Sequence, residues 1–272
     1  MSFLRRALVA LKRVPDYNSI VRVHKDGVCL ILIWIGVLRK RDEGLIDYMQ
    51  GSLDLSQVAW ALNPFCDIAL EEALRLKESK VFSGVTIVTV GDADAVQVLR
   101  TGLSKGSVDE AVHVLAEEPL RQLQVAKILS HVAQMKACDV VFLGKQSVDD
   151  DCGQTGQMLA GLMQCAQATQ AKQVDYCNDR NTLIVTREID DGLQTIDVSI
   201  PAVVTADLRL NTPRYSTLAN LMKAKKKSIE KINASDLGIS LHSDIETISY
   251  EQRDTKRPLK MLGSADELIN LL

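Results

Sequence analysis

Apolar and polar positions alternate between two textures along the chain. Short continuous apolar runs at Ala7–Leu11, Val85–Val90 (VTIVTV), Val112–Leu115 and Val140–Leu143 (VVFL) read as strands buried on both faces. Between them, apolar residues recur at i, i+3, i+4 and i+7 over Asp67–Lys80, Ala93–Leu103 and Pro119–Lys136, which predicts helices. Ile68, Leu70, Ala73, Leu74 and Leu76 form one such face. Strand and helix in alternation predict an α/β fold with a doubly wound, mainly parallel sheet. Such sheets bind ligands at the carboxyl ends of their strands, and Gly91 and Gly144 follow two of those ends.

After Ala171 the pattern changes. Gln173–Tyr176, Leu183–Thr186, Leu193–Ile200 and Ala202–Thr205 read as strands, and Asp190-Asp191-Gly192 is a hairpin turn signal. This part is expected to add antiparallel strands to the main sheet. The tail, residues 236–272, is polar and weakly patterned up to a short helix near Ala265–Leu272, and reads as an arm on a single 1–235 domain. Val28–Leu38 (VCLILIWIGVL) is an apolar run followed by charged residues. It is too short for a bilayer, which needs about 20 residues, and reads as part of an insertion near 28–56. No membrane insertion is expected.

The N-terminal stretch MSFLRRALVALKRV has no acid before Asp16, as a mitochondrial targeting stretch would. Leu4–Lys12 also reads as the first strand, with Arg5 and Arg6 outside. A cleaved presequence is therefore not expected, because cleavage would remove that strand.

Composition narrows the class. The chain has 46% apolar and 25% charged residues over 272 positions, as in an ordinary globular protein. The net charge of −3 gives no global signal for nucleic acid. Aromatics at 4% leave the core to aliphatic side chains. The six cysteines form no C-x-x-C pair, so reduced thiols are expected and neither a zinc site nor a disulfide framework. Neither G-x-G-x-x-G nor a Walker A loop is present, and none of the four histidines sits in a hydrolase or metalloprotease motif. No catalytic machinery is expected, and no metal.

Three segments remain as candidates for chemistry. Leu143–Met158 (LGKQSVDDDCGQTGQM) leaves a strand and enters a helix near Gly156, with Lys145, Gln146, Ser147, Gln154 and Thr155 as donors. A helix N-terminus there would take an anion, and Gly153 and Gly156 would admit a phosphate to the backbone. Asp149, Asp150 and Asp151 disfavour a triphosphate and fit a monophosphate better, with the carboxylates turned to caps, ribose or structure. The bland alternative is an acidic loop with a helix cap. At Ala61–Leu70, Asn63 and Pro64 mark a helix start, with Phe65 and Cys66 at the mouth of the sheet. At Leu210–Lys227, Leu218, Leu221 and Met222 form a short apolar face beside Lys223, Lys225, Lys226 and Lys227. Such a basic run is a nuclear signal, a nucleic-acid patch or, more often, a solvated face, and the apolar residues beside it suggest protein docking with electrostatic steering.

At these residues the chain resembles the β subunits of electron-transfer flavoproteins. The likeness is carried by LVALKRVPDY (Leu8–Tyr17), NPFCDIALEEALRLKE (Asn63–Glu78), LGKQSVDDDCGQTGQ (Leu143–Gln157), REIDDGLQT (Arg187–Thr195) and PAVVTADLRLNTPRYSTLANLMKAKKKSIE (Pro201–Glu230). The resemblance implies an αβ heterodimer with one FAD held mainly by the α subunit and a structural AMP on the β subunit, in an adenine-nucleotide-binding fold. Electrons would arrive from acyl-CoA dehydrogenases and leave to a membrane quinone oxidoreductase. The family's AMP site maps onto Ala10, Asn63, Pro64, Phe65, Cys66, Val90, and Gly144, Lys145, Gln146, Ser147, Val148, Asp149, Asp150, Asp151, Cys152, Gly153, Gln154 and Thr155. Tyr17 and Phe65 match aromatics near the flavin. Leu218 matches the docking anchor, Glu188 an acid that meets the partner, and Lys223 and Lys226 lysines methylated in some members. The arm would pack on the partner subunit. Ala219 stands where members often have proline. Between Lys12 and Asn63 the chain exceeds members of the family by roughly twenty residues. A stand-alone ATP binder of stress-protein type, or a bifurcating subunit with FAD in place of AMP, are the alternatives. The likeness to mitochondrial members implies the matrix, with the bacterial cytoplasm as the alternative.

Overall fold

The computed structural model describes residues 5–16, 22–24, 52–54, 58–242, 245 and 269. The apolar run Val28–Leu38, Tyr17 and, apart from Ile269, the helix expected near Ala265–Leu272 lie outside the described residues. By internal contacts the chain divides into two units, residues 1–20 with 56–246, and residues 21–55 with 247–272.

In chain order the strands and helices begin with β1 (Arg6–Ala10), β2 (Arg13–Pro15), β3 (Arg22–His24), β4 (Ser52–Asp54), β5 (Trp60–Leu62) and α1 (Pro64–Glu78). Then come β6 (Gly84–Gly91), α2 (Val96–Ser104), β7 (Glu110–Leu115), α3 (Gln122–Met135), β8 (Val140–Gly144) and α4 (Thr155–Met163). The last are β9 (Ala166–Cys177), β10 (Thr182–Ile189), β11 (Gly192–Ser199), β12 (Ala202–Ala206), α5 (Leu218–Lys226) and β13 (Glu230–Asn233). In the smaller unit, the described residues are β3 and β4, paired antiparallel, and Ile269.

In the larger unit nine strands form one sheet in the order β11-β10-β9-β12-β8-β1-β6-β7-β13. The pleat sends successive side chains to opposite faces. Ala7 and Val9 of β1, with Val140 and Phe142 of β8, join one apolar cluster under α1 and α2. Leu8, Val141 and Leu143 join a second under α3 and α4. Both faces are covered, which is why these strands read as unbroken apolar runs. The fold is the expected doubly wound, mainly parallel α/β sheet.

Several boundaries differ from the sequence expectation. The first strand covers Arg6–Ala10, and Arg6 is half-buried against Thr86 and Glu110 rather than outside. The stretch from Ala93 opens as a 3-10 turn, Ala93–Ala95, because Asp92 accepts a hydrogen bond from the Ala95 amide at 2.9 Å and tightens it. The strands after Ala171 were expected to be antiparallel, and only part of them is. β12 lies in the middle of the sheet, parallel to both β8 and β9, and all five of its residues are buried. β9 starts at Ala166, where small residues alternate with glutamine and give a weak apolar signal. Within the nine-stranded sheet antiparallel pairing is confined to β9–β10–β11, with Asp190 and Asp191 as the two-residue turn before Gly192.

Candidate functional site

From β1 the chain winds through α1 to β6 and β7, then returns over the other face through α3 to β8 on the far side of β1. The winding therefore reverses between β1 and β8. A crevice opens at such a point, outside the carboxyl ends of the strands. What meets there is the end of β1, the N-terminus of α1, and the loop from Gly144 into α4.

Close approach at this point depends on a missing side chain. A Cβ on Gly144 would stand 2.6 Å from Phe65 Cβ and 3.1 Å from the Cys66 amide nitrogen. The strand end thus touches the first turn of α1. Asn63 is buried at the N-cap of α1, but its side chain does not cap the helix as expected. It crosses instead to the loop: Nδ2 donates to the Gln146 carbonyl at 2.9 Å and Oδ1 accepts from the Val148 amide at 3.3 Å. Pro64 needs no donor partner and starts the helix unaided. Burial pushes the Cys66 thiol up, against the Asn63 amide that donates to its sulfur.

The acidic loop is folded on a lysine that the sequence reading left out of the site. Lys12 Nζ donates to Ser147 Oγ at 2.8 Å, Asp149 Oδ1 at 2.8 Å and Asp150 Oδ2 at 3.3 Å. Burial works against its charge, but Asp149 and Asp150 outweigh that and raise its pKa. Asp150 also accepts from Ser147 Oγ, the Cys152 amide and Gln122 Nε2. Burial pushes its carboxyl up, while Lys12, Ser147 and the Cys152 amide hold it below the usual range. Asp151 accepts from Gln146 Nε2 at 2.9 Å and adopts a positive φ of 50°. The three carboxylates are thus turned into the loop's own structure.

Of the expected donors, Lys145, Gln146 and Ser147 are committed in the same way. Lys145 Nζ donates to Asp207 Oδ2 at 2.7 Å and lies 5.8 Å from the centre of the Phe65 ring. Burial acts to raise the Asp207 carboxyl, but Lys145 and the Arg209 amide bring it below its ordinary value. The free groups are backbone. The first helical bond to the cap of α4 runs from the Met158 amide to the Gln154 carbonyl, and Gln154 provides no side-chain cap. The amides of Thr155, Gly156 and Gln157 therefore have no acceptor within the helix. Gly153, at φ 58°, turns the chain into it. Ala10 and Val90 stand near the ends of neighbouring strands, packed on the α3–α4 face with Met158.

The Leu218 segment forms a second feature. Thr217 caps α5, accepting from the Asn220 amide at 3.2 Å. Leu218 is 78% exposed, with Leu221 and Met222 also exposed and Lys223, Lys225 and Lys226 in the last turn. Tyr215, at 95% exposure, is a neighbour the sequence reading passed over. Glu188 pairs with Arg209, not with this segment.

The geometry first defines a class: a doubly wound α/β protein whose reversal point presents free helix-terminal amides inside a charge-neutralised loop. The electron transfer flavoprotein domain model matches residues 51–237. Over 267 residues the chain is 41% identical to the mitochondrial electron transfer flavoprotein subunit beta of Arabidopsis thaliana, covering 98% of this chain and 97% of that one. Against the electron transfer flavoprotein subunit beta of Homo sapiens it is 45% identical over 268 residues, covering 97% and 95%. Against that of Sus scrofa it is 46% identical over 252 residues, covering 90% and 88%. The chain belongs to the electron transfer flavoprotein family, as a β subunit.

Proposed function

We propose that this chain carries a structural AMP and pairs with an α subunit around a shared FAD, in the mitochondrial matrix. The observation that carries the AMP assignment is the unpartnered amide row of Thr155–Gln157 beside lysines already paired with carboxylates. Backbone amides and a helix terminus suit one phosphate group. A triphosphate would bring several charges to a loop whose cations are committed. Gly153 and the α4 amides would hold the phosphate, with Ala10, Asn63–Cys66 and Val90 framing the remaining nucleotide.

A bound FAD would supply the redox chemistry, with acyl-CoA dehydrogenases as the proposed electron source and a membrane quinone oxidoreductase as the proposed acceptor. The chain's own residues supply binding and docking. Phe65, buried beneath Lys145, stiffens the border of the nucleotide crevice. Leu218, at the start of a helix whose last turn carries Lys223, Lys225 and Lys226, is an apolar anchor for an acidic partner surface. Among the described residues no helix is long and apolar enough to cross a membrane. The tail from residue 236 is read as an arm on the partner subunit. Support comes from the near full-length identity to β subunits and, for the compartment, from the mitochondrial name of the Arabidopsis relative.

The test is co-expression with the α subunit, acid release of bound nucleotides and mass spectrometry. One AMP and one FAD per heterodimer is the expected result. Two FAD without AMP would indicate a bifurcating subunit, and ATP without α association would refute the carrier reading.

A further inference from the structure

Residues 211–217, which lead into α5, have no regular secondary structure, yet they are fastened at almost every step. Asn211 Nδ2 donates to the Ile68 carbonyl at 3.1 Å and Glu72 Oε2 at 2.9 Å. Arg75 Nη2 donates to the Thr212 carbonyl at 3.2 Å. Lys105 Nζ bridges the Arg214 carbonyl at 2.9 Å and Asp67 Oδ2 at 2.8 Å. Ser216 Oγ lies 2.6 Å from Ser104 Oγ. Arg214 is the centre of this set. Its Nε and Nη2 donate to the two oxygens of Glu71 at 2.8 and 3.1 Å, and its backbone amide to Glu71 Oε2 at 3.1 Å. Nη1 and Nη2 also reach Glu78 at 2.5 and 3.1 Å.

The fastened residues face α1 and α2, while Tyr215 and Leu218 project almost fully into solvent. Tyr215 is thus held outward on the coil itself, and Leu218 at the first residue of the helix into which the coil leads. A loose segment would have to be ordered at each encounter, and that cost would come out of the docking affinity.

We propose that Arg214 is a positioning residue for docking: by bridging Glu71 and Glu78 it holds Tyr215 and Leu218 in the arrangement that meets the partner flavoenzyme. This rests on the docking role given above to Leu218. Arginine suits this place because its planar fork pairs with both oxygens of Glu71 while its remaining edge reaches Glu78.

The experiment uses the heterodimer with its nucleotides bound, reduced by a purified acyl-CoA dehydrogenase and its acyl-CoA. Arg214→Gln is expected to raise the KM for the carrier about tenfold, the order that ordering of a few residues brings. The kcat and the FAD and AMP content should be unchanged, amide exchange should accelerate over residues 211–222 alone, and Arg214→Lys should fall between. Leu218→Ala is the control that separates the two claims. If Leu218→Ala raises KM and Arg214→Gln does not, the positioning role is overturned and docking stands. If neither does, the docking role itself falls and takes the proposal with it. A fall in kcat at constant KM also overturns it. Should Arg214→Gln fail to assemble, Glu78→Gln keeps the Glu71 half of the clamp. Unchanged KM in Glu78→Gln with faster exchange at 211–217 would then refute the proposal.

Discussion

Gly144→Ala should separate the strand end from α1 and empty the nucleotide crevice. The backbone at Gly144 is not left-handed, so the penalty is steric alone. The added Cβ would stand 2.6 Å from Phe65 Cβ and 3.0 Å from the Phe65 carbonyl carbon. Carbon atoms prefer about 3.5–4.0 Å, so one element must move by about 1 Å. α1 cannot shift freely, because Leu70, Ala73 and Leu74 are fully buried beneath it. Overpacking costs about 1–3 kcal/mol, and a backbone obstacle places this case in the upper half. For a chain of this size that lowers Tm by roughly 5–10 °C. Gly156→Ala meets the Thr205 methyl at 2.4 Å, and moving it strains the Gln170–Thr205 hydrogen bond. There alanine's helix preference, worth about 1 kcal/mol, offsets part of the loss. Gly161→Ala, in the same helix with nothing within 4 Å, should stabilise slightly. Melting curves and AMP content of the three heterodimers test the ranking. A Gly144→Ala protein that melts with the parent and retains full AMP would refute the close-approach argument.

Three further outcomes follow from named contacts. Lys12→Gln leaves Asp149 and Asp150 without their cation. Lys12 is half exposed, so the loss should be about 1 kcal/mol, or roughly 2–4 °C. Asp150 is held below its unfolded value, so its contribution is present above about pH 4 and fades as pH falls; the variant's deficit should shrink likewise in acid melts. Glu72 has the opposite sign. Burial raises its carboxyl despite the Asn211 hydrogen bond, so its ionisation weakens the fold as pH rises through the raised value. Glu72→Gln should therefore melt higher than the parent at pH 7, with the gain vanishing near pH 4; an equal gain at both would contradict the assignment. Leu218→Ala should weaken electron acceptance about 5–30-fold at subsaturating carrier while bound flavin stays constant, measured by stopped-flow reduction.

The local patterns carried much of the architecture. Unbroken apolar runs became strands covered on both faces, and 3.6-residue periodicity became α1, α2 and α3. Asp190-Asp191-Gly192 became a hairpin turn, because such signals depend on neighbours within a few residues. The Leu143–Met158 segment was legible as a loop feeding a helix. What that loop does with its charges was not. Lys12 and Asp149 lie 137 residues apart, and Lys145 and Asp207 62 apart. Strand order alone brings such pairs together, and the sequence does not state that order. The same holds for Asn63, which looked like a cap and instead ties α1 to the loop, and for β12, grouped with its antiparallel neighbours but placed at the centre. It holds again for Arg214, whose partners Glu71 and Glu78 sit on a helix that reads as an ordinary amphipathic face. The sequence by itself determined which residues form helices and strands, because periodicity is local. The tertiary structure decided which charges are spent and which amides stay free, because neutralisation across a crevice depends on the elements that fold to its two sides.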